Sequence, residues 1–393
     1  MKINFTMSAL DGFGGMRTTN IISNKLVERG HEVTVTLLKP QPLLFNWKAR
    51  IIFAEDFWRS ARRKLSHMTN LLLKVHKYHN IYTVIDSLTD AIPECDINVA
   101  QGWVTVFPVL RSKKGIPFHH LQHFEEVIFY NQYDELVQLV RESMYLPLHR
   151  TTNSIWCQMQ MKKRYGYDLP IINPGIDHTV FYPRGVGKKS HKKRVVCLGK
   201  DMMRWKGFED VIQSMKIVME KEDNVEFVAF GAIPLARTYS GVPFKFMCNL
   251  TNDQLAELYS SADILVCPSW YESFPGPPIE AMACGTPVVT TRYGTEDYAQ
   301  HEKNSLVVMP RDINGMAEAI LRLLSDADLA EKFKKTGPQT AKRFTWDKTV
   351  DKFEKLFRMA LEERKPSFED TKIHLTRPVP KGFDENVQLV VKK

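Results

Sequence analysis

Strand-like and helical patterns alternate from the first residues of this chain. Residues 2–7 alternate polar and apolar side chains and read as a first strand, residues 18–28 carry apolar side chains at helical spacing, and residues 31–38 again alternate apolar and polar side chains. Such a strand–helix–strand unit is the building block of a parallel sheet. Further strand-like runs follow at 97–100, 118–122 and 150–154. The sequence therefore predicts an α/β protein with a doubly wound sheet.

The alternation begins again after a turn-rich stretch at residues 173–177. The new apolar runs and helical patterns lie at 194–198, 208–220, 225–230, 253–261, 264–268, 277–284 and 287–291. A chain of 393 residues exceeds what one hydrophobic core usually supports. We therefore predict two Rossmann-like domains, residues 1–177 and 178–345, which face a central cleft.

The chain ends with one more amphipathic pattern, which predicts a helix from Trp346 to residue 361. We expect residues 346–365 to pack back on the first domain. Residues 366–393 are mixed and polar, and no fold is predicted for them.

The most informative motif spans residues 272–280, Glu-Ser-Phe-Pro-Gly-Pro-Pro-Ile-Glu, directly after a predicted strand. Its paired prolines favour the start of a helix, and Gly285 favours the end of that helix after about two turns. Free amides and the positive dipole end of such a helix suit an anion. Considered singly, Glu272 is explained as a charged residue of a loop, and Glu280 as an acid that complements the helix dipole. The coincidence of the whole pattern favours a ligand that both carboxylates reach.

A second candidate is the loop at residues 200–207, which precedes a helix starting at Phe208. Lys200, Arg204 and Lys206 lie in this loop. Cations beside a helix start suit a diphosphate. A solvated basic loop is the plain alternative in a chain of net charge +9.

A glycine-rich stretch at residues 8–15 follows the first strand, and we predict a turn there. Arg17 stands where the dinucleotide-binding fingerprint needs its third glycine. The second strand also ends without an acid that could hold a cofactor ribose. These departures argue against NAD, and we predict no cofactor.

Histidines cluster in and directly after the strand-like run at residues 118–122, at His119, His120 and His123. No zinc-binding spacing such as C-x-x-C or H-E-x-x-H accompanies them. A D-x-D spacing occurs at residues 326–328, but it lies between two helices predicted at 313–325 and 328–335, where helix capping explains it better. We therefore expect no metal site.

Together these motifs resemble the retaining glycosyltransferases of family 4, which have the GT-B fold and an E-x7-E element. The resemblance is closest over residues 150–365 and includes stretches at 173–183, 258–263 and 344–346. It implies transfer of a sugar from a nucleoside-diphosphate-sugar donor to an acceptor hydroxyl, without a metal and with retention of anomeric configuration. The base, the sugar and the acceptor are not indicated.

The resemblance also implies roles for single residues. Glu280 corresponds to a glutamate that binds the nucleotide ribose, and Glu272 to one near the donor sugar. Lys206 corresponds to a clamp on the leaving diphosphate, and the partner arginine of the family is replaced by either Lys200 or Arg204.

His123 corresponds to a residue near the transferred sugar, although a structural histidine is the alternative. The family also binds the diphosphate through backbone amides, which correspond here to Phe274, Gly276, Gly14 and Gly15. One departure stands out, because Pro275 follows Phe274 where the family has glycine, and proline donates no hydrogen bond.

The positive charge is concentrated at residues 41–80, where eight lysines and arginines face two acids among interleaved aromatic residues. Peripheral contact with an anionic membrane is one interpretation, and a solvated helical face with core aromatics is the other; sedimentation with anionic vesicles separates them. No nucleic-acid signature accompanies the charge, so we expect no nucleic-acid partner.

The sequence also bears on the location of the protein. It has no apolar run long enough to span a membrane and no room for a signal peptide before the first glycine-rich stretch. Six scattered cysteines, none in a C-x-x-C pair, fit free thiols in a reducing compartment. We expect a cytoplasmic protein.

Rival functions of two classes, another enzyme and a binding protein, use a similar architecture. A glycogen-phosphorylase-like enzyme would need a lysine-bound pyridoxal phosphate, for which the sequence shows no site, and a nucleotide-sugar epimerase belongs to the same group of rivals. A two-lobed solute-binding protein would need a signal peptide and would not need Lys206 beside paired acids. A binding protein leaves nucleotide sugars intact, whereas a transferase consumes them.

Overall fold

The computed structural model describes residues 1–7, 12–38, 48–54, 85–126, 134–185, 191–200 and 203–363. The described residues form two compact α/β domains. Among the described residues, the first comprises Met1–Asn153, Cys157–Ile172 and residues 346–363, and the second comprises Ser154–Trp156 and Asn173–Thr345. The segment at 366–393, and all of the basic segment except residues 48–54, lie outside the described residues.

The first domain is built on a parallel sheet of six strands in the order β3-β2-β1-β4-β5-β6. Its strands are β1 (Lys2–Thr6), β2 (Glu32–Leu38), β3 (Arg50–Ala54), β4 (Ile97–Ala100), β5 (Ile116–Leu121) and β6 (His149–Thr152). The helices that follow these strands are α1 (Gly12–Glu28), α2 (Trp103–Ser112), α3 (Asp134–Tyr145) and α4 (Ile155–Tyr165). Residues 85–91 are helical as well.

The second domain has its own parallel sheet of six strands, in the order β12-β11-β10-β7-β8-β9. Its strands are β7 (Lys193–Leu198), β8 (Val225–Gly231), β9 (Phe244–Cys248), β10 (Ile264–Cys267), β11 (Val288–Thr291) and β12 (Leu306–Val308). Its helices are α5 (Phe208–Lys221), α6 (Asn252–Ser260), α7 (Gly276–Ala283), α8 (Ile313–Ser325) and α9 (Ala327–Ala341). One apolar core lies on each face of this sheet.

Most predicted elements are confirmed to within two residues, but the glycine-rich stretch is a correction. Helix α1 begins at Gly12, so Gly14 and Gly15 lie in its first turn and not in a turn before it. A methyl group added at Gly14 would meet nothing within 4 Å, so no close backbone approach requires that glycine. The predicted capping at residues 326–328 is confirmed, because the Asp326 side chain accepts a hydrogen bond from the Leu329 amide at 2.9 Å.

The last helix, α10 (Trp346–Glu362), follows the second domain along the chain but packs in the core of the first. Its Phe357 ring meets Phe118 of β5 edge to face, with centroids 5.0 Å apart. At the surface, Arg29 at the end of α1 pairs with Asp351 and Glu354 at 2.6 and 2.5 Å. Ion pairs that remain in contact with water contribute little, so the buried aromatic face contributes most to holding α10 in place.

Among the described residues, no helix is both long enough and apolar enough to cross a membrane.

Replacing Phe357 by alanine is expected to destabilise the first domain by about 3–5 kcal/mol, because a fully buried aromatic ring leaves a cavity that the core cannot fill. Hydrogen exchange of peptides from β1 and β5 measures this loss separately from the second domain. Met359→Ala is the matched control on the same helix, since Met359 is 42% exposed. Equal protection in the two variants would show that α10 does not belong to this core.

Candidate active site

The second domain collects its candidate residues at the carboxyl ends of β7 and β10. These strands are neighbours in the sheet, and Val266 pairs with Cys197 one residue before each strand ends. Loops leaving the same edge of a parallel sheet therefore start side by side, although 66 residues separate Lys206 from Glu272. Ligands of such sheets bind at this edge.

Helix α7 starts in this region with an unusual set of backbone donors. Pro275 is its N-cap, with φ −65° and ψ 125°, and Gly276 is its first helical residue. A helix leaves the amides of its N-cap and first three residues without partners. Here three of those four positions are Pro275, Pro277 and Pro278, which carry no N–H. The first turn therefore offers a ligand one amide, that of Gly276, together with the positive end of the helix dipole.

The carboxylate of Glu280 lies against the start of the same helix. Glu280 sits one turn after Gly276 and is 5% exposed. A methyl group built on Gly276 would lie 3.6 Å from Glu280 Oε1. The acid and the one available first-turn amide are therefore close neighbours, as the motif predicts.

The side chains of Lys206 and Glu272, both predicted from the sequence, form an ion pair. Lys206 Nζ contacts Glu272 Oε1, and both side chains are largely buried. Because both side chains are largely shielded from water, their charges interact more strongly than those of a fully exposed pair.

A close approach of two loops makes this ion pair possible. Gly207 has φ +68°, and a methyl group added there would lie 2.1 Å from the carbonyl oxygen of Pro268. The Trp270 amide donates a hydrogen bond to the Trp205 carbonyl at 2.7 Å. The rings of Trp205 and Tyr271 stack with 11° between their planes. The loops after β7 and β10 thus run together, which brings Lys206 to Glu272.

The loop after β11 holds Glu272 from another side. The Glu272 amide donates to the Tyr293 carbonyl at 3.0 Å. Gly294, with φ +107°, approaches so closely that an added methyl group would lie 2.3 Å from the Glu272 carbonyl oxygen. The sequence pattern did not predict this support. The one signal that could have indicated it is the glycine at position 294, shortly after a strand.

Lys200 and Arg204, the two candidates for a second cationic clamp, line the same cavity but differ in burial. Lys200 is half-buried near Lys206 and Glu272, and burial followed by the charge of Lys206 lowers the pKa of Lys200. Arg204 is exposed and lines a cavity of about 240 Å³ together with Lys200, Asp210, Trp270 and Arg311. Lys200 is therefore the candidate that shares the surroundings of the ion pair.

Polar and cation–π contacts join the side chains that line that cavity. The Trp270 indole N–H donates to Asp210 at 2.5 Å, and Arg311 lies over the Trp270 ring, 4.9 Å from its centroid. Burial raises the pKa of Asp210. A larger groove of about 530 Å³ lies at the other edge of the same sheet, around Lys192, Val225 and Phe244. We place no site there, because it borders the amino ends of the strands.

The first domain places its candidate residues after β5. His123 is half-buried in a loop. Two residues that follow it, Glu125 and Glu126, hold this loop through their side chains. Glu125 accepts a hydrogen bond from the Trp103 amide at the start of α2. Glu126 is buried and accepts hydrogen bonds from arginine and tyrosine side chains, namely Arg141, Arg164 and Tyr165.

The other two histidines of this stretch lie in the interior of the first domain. His120 contacts Thr151 Oγ1 at 2.8 Å, and burial lowers its pKa to about 3. His119 is fully buried, and burial lowers its pKa as well. Both side chains are therefore uncharged parts of the core.

The sequence of the second domain is similar to that of known glycosyltransferases. A sequence profile described as Glycosyl transferases group 1 matches residues 192–326, which lie within the second domain. An uncharacterized glycosyltransferase of Methanocaldococcus jannaschii is 29% identical over 202 residues, 49% of this chain and 51% of that protein. A D-inositol 3-phosphate glycosyltransferase of Corynebacterium urealyticum is 38% identical over 107 residues, 27% of this chain and 25% of that protein.

Solved structures resemble the chain over nearly its whole length. Sucrose-phosphate synthase from Thermosynechococcus elongatus superposes with a TM-score of 0.75 at 18% identity, covering 93% of this chain and all of that one. Anabaena HepE in complex with UDP and glucose superposes with a TM-score of 0.70 at 14% identity, covering 91% of this chain and 99% of that one. The fold is GT-B. The chain spans about half the length of the first curated relative and less of the corynebacterial one, so the comparisons leave its activity and substrates to be proposed.

Gly207→Ala is expected to lower the free energy of unfolding of the second domain by more than the 1–2 kcal/mol, roughly, that a left-handed backbone costs a non-glycine residue. The excess comes from the collision with the Pro268 carbonyl. Gly241→Ala is the matched control, because Gly241 has φ +86° but an added methyl group would meet nothing within 4 Å. Chemical denaturation of both variants gives the difference, and equal losses would contradict the close approach.

Proposed function

We propose that this protein is a glycosyltransferase that moves a sugar from a nucleoside-diphosphate-sugar donor to an acceptor hydroxyl, without a metal and with retention of anomeric configuration. One observation carries the proposal: Lys206 forms an ion pair with Glu272, which lies four residues before the first residue of α7. This site falls within the segment that matches the glycosyltransferase profile.

The chemistry of sugar transfer explains why such a site is useful. Negative charge develops on the nucleoside diphosphate as its bond to the sugar breaks. Fixed positive groups in a site that excludes water stabilise this charge without reorganising. Because the first turn of α7 offers one amide, the cations Lys206 and Lys200 carry most of that task here. Arg204 is the alternative second clamp.

The ion pair also suggests the order of events. Before the donor binds, Glu272 neutralises Lys206. A diphosphate that approaches α7 competes with Glu272 for this lysine, and the released carboxylate then lies next to the sugar. Retention follows if a donor phosphate oxygen takes the acceptor proton on the face from which the diphosphate leaves, so the proposal names no protein base. Glu280 binds the ribose in this scheme.

The identity of the substrates is narrowed only by similar proteins. Anabaena HepE was crystallised with UDP and with UDP-glucose, so UDP is the first nucleotide to test. Roles for His123, Gly14 and Gly15 in sugar and phosphate binding rest on the family resemblance and remain predictions. Cytoplasmic location and membrane contact through residues 41–80 remain predictions too.

Incubation with UDP-glucose, GDP-mannose and ADP-glucose tests the proposed function. We expect the purified protein to release nucleoside diphosphate from at least one of them, by transfer or by slow hydrolysis, and to do so equally in the presence of a strong chelator. Release that stops with chelator and returns with magnesium or manganese would contradict metal independence. Intact nucleotide sugars that nevertheless bind would indicate a binding protein.

The two glutamates are expected to differ in phenotype. Ribose does not react, so Glu280→Gln should weaken nucleotide binding and leave turnover largely intact. Loss of charge-assisted hydrogen bonds worth roughly 1.5–3 kcal/mol corresponds to about 10- to 100-fold weaker binding. Glu272→Gln should bind UDP at least as tightly as the wild type, because Lys206 loses its competing anion, yet turn over slowly. Titration calorimetry measures the first effect and steady-state kinetics the second.

The opposite pattern, with affinity lost in Glu272→Gln and kept in Glu280→Gln, would reverse the assignment. If neither substitution has an effect, the paired acids are structural.

A further inference from the structure

Tyr298 lies in the loop after β11, and its side chain contacts the N-cap residue of α7. Its side chain is fully buried, and its hydroxyl donates a hydrogen bond to the carbonyl oxygen of Pro275 at 2.9 Å. Burial raises the pKa of Tyr298, so the hydroxyl stays protonated and can act as the donor. No pattern in the sequence indicates a role for this residue.

Aromatic packing and backbone hydrogen bonds fix Tyr298 in this position. Its ring meets Phe274 edge to face, with centroids 5.3 Å apart, and lies 6.3 Å from the Phe344 ring. Its amide donates to the Thr295 carbonyl at 3.1 Å, and its carbonyl accepts from Asn304 at 2.8 Å. A residue held this firmly can in turn hold what its hydroxyl touches.

The carbonyl of Pro275 and the amide of Gly276 belong to one planar peptide unit, in which C=O and N–H point in opposite directions. Fixing the carbonyl therefore fixes the direction of the Gly276 N–H. A carbonyl that accepts a hydrogen bond also polarises its peptide unit and makes the N–H a better donor. An N-cap carbonyl normally accepts one bond from its own helix, and its second lone pair is available to Tyr298.

We propose that Tyr298 is a positioning residue for the donor diphosphate: its hydroxyl aims and polarises the Gly276 amide, the one first-turn N–H that Pro275, Pro277 and Pro278 leave to α7. The proposal rests on the proposed function, since it assigns that amide to the diphosphate. It differs from a packing role, because the ring alone fills the space and the hydroxyl alone orients the amide.

Tyr298→Phe tests the proposal, since it removes the hydroxyl and keeps the ring. Tyr259→Phe is the matched control, because Tyr259 is equally buried in the same apolar cluster but lies on α6. Each protein is labelled with ¹⁵N-glycine and titrated with UDP, with inorganic pyrophosphate and with uridine. The loss of one resonance in Gly276→Ala assigns the Gly276 amide.

In the wild type we expect the Gly276 amide to shift on addition of UDP or pyrophosphate. In Tyr298→Phe we expect about two- to tenfold weaker affinity for both, the size expected for one neutral hydrogen bond, with a smaller Gly276 shift and unchanged binding of uridine. Tyr259→Phe should behave like the wild type.

Wild-type affinity for UDP and pyrophosphate in Tyr298→Phe would overturn the role of Tyr298 and leave the proposed function intact. Equal losses in Tyr298→Phe and Tyr259→Phe would reduce the effect to general packing and also overturn it. If the wild type binds no nucleoside diphosphate and its Gly276 amide does not respond to pyrophosphate, the proposed function fails together with this inference.

Discussion

The close approach of Gly207 to the carbonyl of Pro268 is the constraint on which the site of the second domain depends. No L-amino acid side chain fits between these two backbones. Because they touch, the loops after β7 and β10 join through the Trp205–Trp270 backbone hydrogen bond. The Lys206–Glu272 ion pair follows from that junction. Separated loops would remove the contact between Lys206 and Glu272.

The start of α7 shows how a common anion-binding device can be altered by its own sequence. Helix starts usually bind anions through several free amides. Here prolines favour the helical backbone but remove three of the four donors. Binding of an anion at this helix start would therefore depend less on backbone amides and more on the side-chain charges of Lys206 and Lys200 in the neighbouring loop. The one remaining amide, that of Gly276, becomes correspondingly important, which gives Tyr298 its proposed value.

The first domain uses buried polar and aromatic contacts to hold its own candidate loop and its last helix. Glu126 would be costly to bury alone, but Arg141 and Arg164 pair with it and Tyr165 donates a hydrogen bond. That cluster and the Glu125 bond to α2 fix the loop that carries His123. Helix α10 completes the core of this domain through Phe353 and Phe357, although the second domain precedes it in the chain.

The sequence alone predicted the alternating elements of both domains, the start of α7, and the separate importance of Glu272, Glu280 and Lys206. These depend on local patterns: apolar periodicity, paired prolines, and charges beside helix starts. It missed short strands such as β12 (Leu306–Val308), because three residues carry no readable period, and it assigned the glycines of α1 to a turn.

Only the tertiary structure decided which charges meet. Sheet order places β7 beside β10, and no local pattern encodes that order. The same holds for Tyr298, whose partner Pro275 lies 23 residues away. A hydrogen bond between a hydroxyl and a carbonyl in different loops produces no periodic pattern in the sequence, since it depends on distance in space and not on spacing along the chain.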